Sequence, residues 1–163
     1  MRFTLFVVLS FLFLSCKRNL NLQGRGDASI QGIWVEDSVK YQNQLLQYTR
    51  HQFKITCDSF YVTMNTYAKT NTFADSCFNN GHFTEYAKGL YATKKDSIFF
   101  SGTFTKSNFK QKISGCYRIG EYLTSYTIRL KGKDTLLLEN KMLQLPIILV
   151  KKESFVCVPK LID

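Results

Sequence analysis

From residue 30 onward apolar and polar side chains alternate. Phe53, Ile55 and Cys57 share one face of an extended segment, with Lys54 and Thr56 on the other. Phe60, Val62 and Met64 alternate with Tyr61, Thr63 and Asn65, and Ile98, Phe100, Gly102 and Phe104 with Phe99, Ser101 and Thr103. Tyr126, Ile128 and Leu130 alternate in the same way with Thr127, Arg129 and Lys131. A period of two with one apolar face predicts antiparallel strands that bury a single side. Turn chemistry separates them. Asn79-Asn80-Gly81 predicts a hairpin, because Asn and Gly tolerate positive φ. Lys94-Lys95-Asp96 and Gly132-Lys133-Asp134 separate further strand pairs. Asp58-Ser59, Asp96-Ser97 and Asp134-Thr135 each precede a β run, and the aspartates recur at intervals of 38 residues. Three such units are too few for a propeller, so the repeat reads as a recurring hairpin start.

Residues 41–49, with Leu45 and Leu46, are the one stretch with helical spacing; they read equally as a strand continuation or a loop. No long amphipathic helix exists elsewhere, which excludes βαβ folds. The expected fold is all-β: an antiparallel meander of about eight to ten strands, spanning residues 30–163, that removes its edges by closing into an up-and-down barrel. The 14 Phe, 9 Tyr and 1 Trp supply enough apolar mass to exclude a disordered chain.

The first residues form a separate unit. Arg2 gives a short basic region and Phe3 to Leu14 an apolar run with only Thr4 and Ser10 polar. This suits a secretory signal and is shorter than the roughly 20 residues of a membrane-spanning helix. Residues 1–15 are therefore expected to be a signal peptide, and residues 16–29 an acylated Cys16 with a flexible, Gly-containing tether. Four cysteines remain: Cys57, Cys77, Cys116 and Cys157. An even number in an exported domain implies two disulfides from three connectivities. Alternating strand directions bring Cys77 back beside the turn at Cys57, which favours Cys57–Cys77 and Cys116–Cys157. No C-x-x-C pair occurs, and His51 and His82 are expected to be surface residues, so no metal site or cofactor is expected.

Three resemblances add to this reading. Phe13-Leu14-Ser15-Cys16 resembles the lipobox of bacterial lipoproteins, which implies lipidation of Cys16. Lys17 after it and the lack of a following acidic run imply the periplasmic side of an outer membrane. Gln31-Gly32-Ile33-Trp34-Val35, a Gly-x-Trp at the first strand, resembles the lipocalin superfamily and implies that Trp34 closes one end of the barrel. The second lipocalin motif, the arginine on the last strand and the C-terminal helix are missing, so the resemblance is to the wider calycin-like shape. Residues 37–41, 54–62, 102–108 and 110–120 resemble a family of small Bacteroidetes lipoproteins without an established activity. Some of its members carry a fumarate hydratase label. This chain lacks the Gly-Ser-Ser-x-Met-Pro loop of one fumarase class, and its four scattered cysteines fit bridges better than the iron–sulfur cluster of the other.

No Gly-x-Ser-x-Gly, P-loop, dinucleotide fingerprint or His-Glu-x-x-His occurs, so no catalytic residues are expected. Glu36-Asp37 is expected to lie at a strand end. The net charge is +10, with lysines mostly at turns. In an exported, tethered protein this points to anionic lipid or lipopolysaccharide head groups rather than nucleic acid. The expected function is a membrane-anchored, monomeric binding module for an apolar small molecule or lipid, with Phe60, Met64, Phe100 and Phe104 as candidate ligand-binding residues. The first rival is a structural or interaction lipoprotein whose barrel those same side chains fill, and the third reading is an enzyme of a new type.

Overall fold

The computed structural model of the chain describes residues 22–71, 74–140, 142–143 and 145–161. The expected signal peptide, Cys16 and the start of the tether lie outside the described residues. Eight strands follow one another: Gly32–Val35 (β1), Gln47–Thr56 (β2), Ser59–Ala68 (β3), His82–Lys94 (β4), Ser97–Thr105 (β5), Glu121–Lys131 (β6), Thr135–Glu139 (β7) and Ile147–Glu153 (β8). Each pairs antiparallel with the next, and β8 returns to β1 through Ile33↔Glu153, Trp34↔Lys151 and Val35↔Val150. The all-β, closed, up-and-down barrel expected from the alternation is the fold observed. Residues 41–49 divide between turns and the start of β2.

Every second connection lies at one end. The turns β2–β3, β4–β5 and β6–β7 are tight and define the closed end, whereas residues 36–46, 69–81, 106–120 and 140–146 make longer connections around an open end. The aspartate repeat has a structural cause. The carbonyl oxygens of Asp58, Asp96 and Asp134 accept the N–H groups of Tyr91, Ile128 and Lys151 at 2.8, 2.6 and 2.9 Å. Each turn is thereby bonded to the next strand that reaches the closed end, so one period comprises two strands and their two connections.

Inward side chains of the closed half interlock. Phe100 lies 5.2 Å from Phe53 and 4.8 Å from Phe60 between ring centroids, over Ile55, Ile98, Leu136 and Leu149, all buried. Burying each such side chain contributes about 2–3 kcal/mol. Trp34 is fully buried near the same end, where its Nε1–H donates to Ile30 O at 2.7 Å. Lys151 Nζ stands 4.6 Å from the centre of the Trp34 ring, so a lysine on the last strand covers the face where an arginine was sought. Gly32 is obligatory in this motif. Its φ is 144°, and a β-carbon there would run into the Glu153 carbonyl of β8. Residues 22–29, assigned by composition to the tether, lie against the closed end: Gln23 Nε2 donates to Ser59 Oγ at 2.8 Å and Asp27 pairs with Lys131 at 2.9 Å.

Three expectations need correction. Asn79, Asn80 and Gly81 do have positive φ (44°, 53° and 79°), but they end the short helix Asp75–Phe78 and lead into β4, rather than forming a tight hairpin. The β3–β4 connection therefore spans residues 69–81. Leu130 is exposed, because a register shift between Ile128 and Leu130 against β7 breaks the alternation of β6. The disulfides are Cys57–Cys157 and Cys77–Cys116, not Cys57–Cys77 and Cys116–Cys157. The strand returning to the Cys57 end begins only at His82, so Cys77 stays at the open end. There β5 delivers the loop that carries Cys116, while β8 ends at the closed end, where the chain brings Cys157 to Cys57.

Candidate open-end cup

Above the aromatic core the inward positions turn polar. On β2 the inward phase that gives Phe53 and Ile55 continues to His51 and Thr49; on β3 it runs from Met64 to Thr66, and on β4 it includes Glu85. Thr49 and Thr66 share a hydrogen bond of 2.8 Å across the β2–β3 pair. His51 is not a surface residue. Its side chain is 13% exposed, and its Nδ1 lies 2.8 Å from Oε2 of Glu36, which also accepts the His51 backbone N–H at 3.1 Å. Glu36 follows β1 directly, is 3% exposed, and is held by a bond from its own N–H to His51 O. The carboxylate on Nδ1 fixes the orientation of the ring. His82 is exposed on the outer face of the barrel and stacks on Tyr67 at 4.6 Å.

Two strands along from His51, on the far side of Met64, Glu85 is 5% exposed and receives Arg118. The guanidinium donates through Nε at 3.0 and 3.1 Å and through Nη2 at 2.6 Å, and the Arg118 backbone N–H adds a bond of 3.0 Å. The carboxylate pushes the Arg118 pKa above its ordinary value. The same guanidinium lies 4.7 Å from the Phe104 ring centre. Arg118 comes from the 106–120 loop, which the Cys77–Cys116 disulfide ties to the 69–81 loop. Tyr117 reinforces that tie: its hydroxyl donates to Cys77 O and its ring stacks on Phe83 at 4.2 Å.

Beside these pairs lies a cavity of about 470 Å³, lined by His51, Met64, Phe104, Arg118, Tyr122 and Tyr126 among others. A second space of about 400 Å³ adjoins it at Thr49 and His51, with Glu36, Val39, Leu45, Leu145 and Ile147 on its walls. Each is within the size range of small-molecule sites. Burial raises the phenol pKa of Tyr126 and carries that of Tyr122 well above its usual value, so both stay neutral donors at physiological pH.

The four aromatic and sulfur-bearing candidates divide. Met64 and Phe104 line the cavity; Phe60 and Phe100 belong to the packed core beneath it. The barrel is thus filled in its closed half and hollow in its open half. The sequence reading missed Glu36, His51, Glu85 and Arg118. A partial signal existed: His51 and Glu85 are polar residues in the apolar phase of their strands. Arg118 lies in a loop without periodicity and gave none.

Comparison of the chain with protein-family models, with curated proteins and with solved structures finds no match. The fold and the cup together define a small closed β-barrel able to accommodate a small molecule at its open end.

Proposed function

We propose that this protein is an exported, lipid-anchored binding module that holds a small amphipathic molecule in its open-end cup. The observation that carries the reading is the cavity of about 470 Å³, with Met64 and Phe104 on its apolar side and His51, Arg118 and two tyrosines as hydrogen-bonding groups. An apolar surface with a few convergent polar groups is the usual composition of a ligand site. The reading is one of binding rather than turnover, and it modifies the expectation of a purely apolar ligand. Anchoring rests on the lipobox-like Phe13-Leu14-Ser15-Cys16. The chain reaches the closed end at Leu22, which bridges to Leu161, so a Cys16 anchor would leave the cup opening away from its own bilayer.

Native mass spectrometry of protein purified from membranes, with titration of an apolar fluorescent dye, tests the binding reading. A co-purifying small mass or saturable dye uptake that Met64→Trp abolishes is expected. Absence of both would overturn it. Cys16→Ala should move the protein from the membrane to the soluble fraction; a soluble wild-type protein with an unacylated N-terminal peptide would refute the anchor.

A further inference from the structure

We infer that the cup selects a cationic amphiphile, an amine carrying an apolar body, and that Glu36 is the group that holds its nitrogen. This rests on the cup being a binding site. Glu36 is 3% exposed, lines the space that adjoins the main cavity at His51, and uses Oε2 for both of its hydrogen bonds from His51. Its Oε1 takes neither of these bonds and is not among the fully buried atoms left without a partner, so it opens onto that space. A carboxylate this little exposed is a strong acceptor for a charged donor. His51 fills Oε2 alone. An ammonium nitrogen supplies a charge of opposite sign and donors for Oε1.

The other charges of the cup favour the same sign. Arg118 is the cation of the cavity wall, and Glu85 already engages it through three contacts, so an incoming anion must compete with a buried carboxylate for it. Glu121 lines the rim and adds a further negative charge. Lys112, on the same loop as Arg118, points its ammonium at the carbonyl oxygens of Cys116 and Arg118. The carboxylates of Glu36, Glu85 and Glu121 outnumber the one guanidinium. Tyr126, close enough to Glu36 for that charge to raise its pKa, offers an aromatic wall, and cations are attracted to ring faces. The apolar body of the ligand has Val39, Leu45, Leu145 and Ile147 on one side of His51 and Met64 and Phe104 on the other. The basic surface of the protein does not reverse this preference, because charges beyond about 8 Å are screened at physiological ionic strength while a desolvated carboxylate acts directly.

Octylamine, octanol and octanoate share one apolar body and differ in head group. Isothermal titration of the purified full-length chain with all three, at pH 7.5, separates the possibilities. The expected result is octylamine binding about tenfold or more tighter than octanoate, with octanol between them. Glu36→Gln, which preserves shape and can still accept from His51, should remove the preference for the amine and leave octanol binding within about twofold. If octanoate binds as tightly as octylamine, or if the amine preference survives Glu36→Gln, the assignment of Glu36 and of a cationic ligand is wrong while the cup remains a binding site. If none of the three binds, the binding reading itself falls, and this inference with it.

Discussion

Removing the open-end disulfide with Cys77→Ala/Cys116→Ala should weaken the fold and disorganise the cup together. The bond joins positions 39 residues apart, and in the chain-entropy model releasing a loop of that size from the unfolded state costs about 3.9 kcal/mol. The closed-end bond spans 100 residues, for which the same relation gives about 4.7 kcal/mol. Cys57 is buried whereas Cys116 is half-exposed, so Cys57→Ala/Cys157→Ala also loses packing and should be the more damaging pair. Urea unfolding of the oxidised proteins measures both losses. For the open-end pair we expect a loss of about 3–4 kcal/mol and a Tm lower by roughly 6–16 °C. The two variants should also differ in kind. Arg118 follows Cys116 by two residues, so opening the 77–116 bond loosens the Arg118–Glu85 wall and weakens probe binding, whereas a folded closed-end variant retains its cup. The reasoning fails if the open-end variant loses less than about 1 kcal/mol, or if it binds the octyl probes as tightly as wild type although octylamine binds the parent. A Cys57–Cys77 peptide in a non-reducing map would refute the connectivity itself.

Gly102→Ala should cost about 3 kcal/mol or more, because Gly102 faces Gly89 across β4–β5 and a methyl group there would meet the Lys88 carbonyl, which cannot yield; a denaturant midpoint within error of wild type would contradict this close approach. Arg118→Met removes the half-exposed partner of a buried carboxylate and should destabilise by about 1–3 kcal/mol, whereas adding Glu85→Leu should recover most of the loss in urea titrations. Trp34→Ala, at a fully buried position with one indole hydrogen bond, should cost about 3–5 kcal/mol by the same measurement, and a smaller loss than Lys151→Ala would mean that the closed end is not organised around this ring.

The local pattern was sufficient for the fold because a strand with one buried face records its orientation every second residue. The phases of Phe53-Ile55, Phe60-Val62-Met64 and Ile98-Phe100-Phe104 all point to the core as they stand in the sequence, and the three Asp-Ser/Thr turns mark the closed end. A meander with no helix to cover its edges then has to close. What the pattern could not carry is which end of the barrel a residue reaches, since alternation gives the face but not the distance travelled. The disulfide pairing turned on that: a 13-residue strand beginning at His82, rather than an earlier return through Cys77, decides that Cys77 meets Cys116. The division between a packed half and a hollow half is likewise tertiary, because Phe60 and Phe104 look alike in sequence and differ only in height along the barrel. The cup depends on it most. Glu36 meets His51 across 15 positions and Glu85 meets Arg118 across 33, and charge pairing over such separations is set by strand register and by the loop that the Cys77–Cys116 bond holds in place.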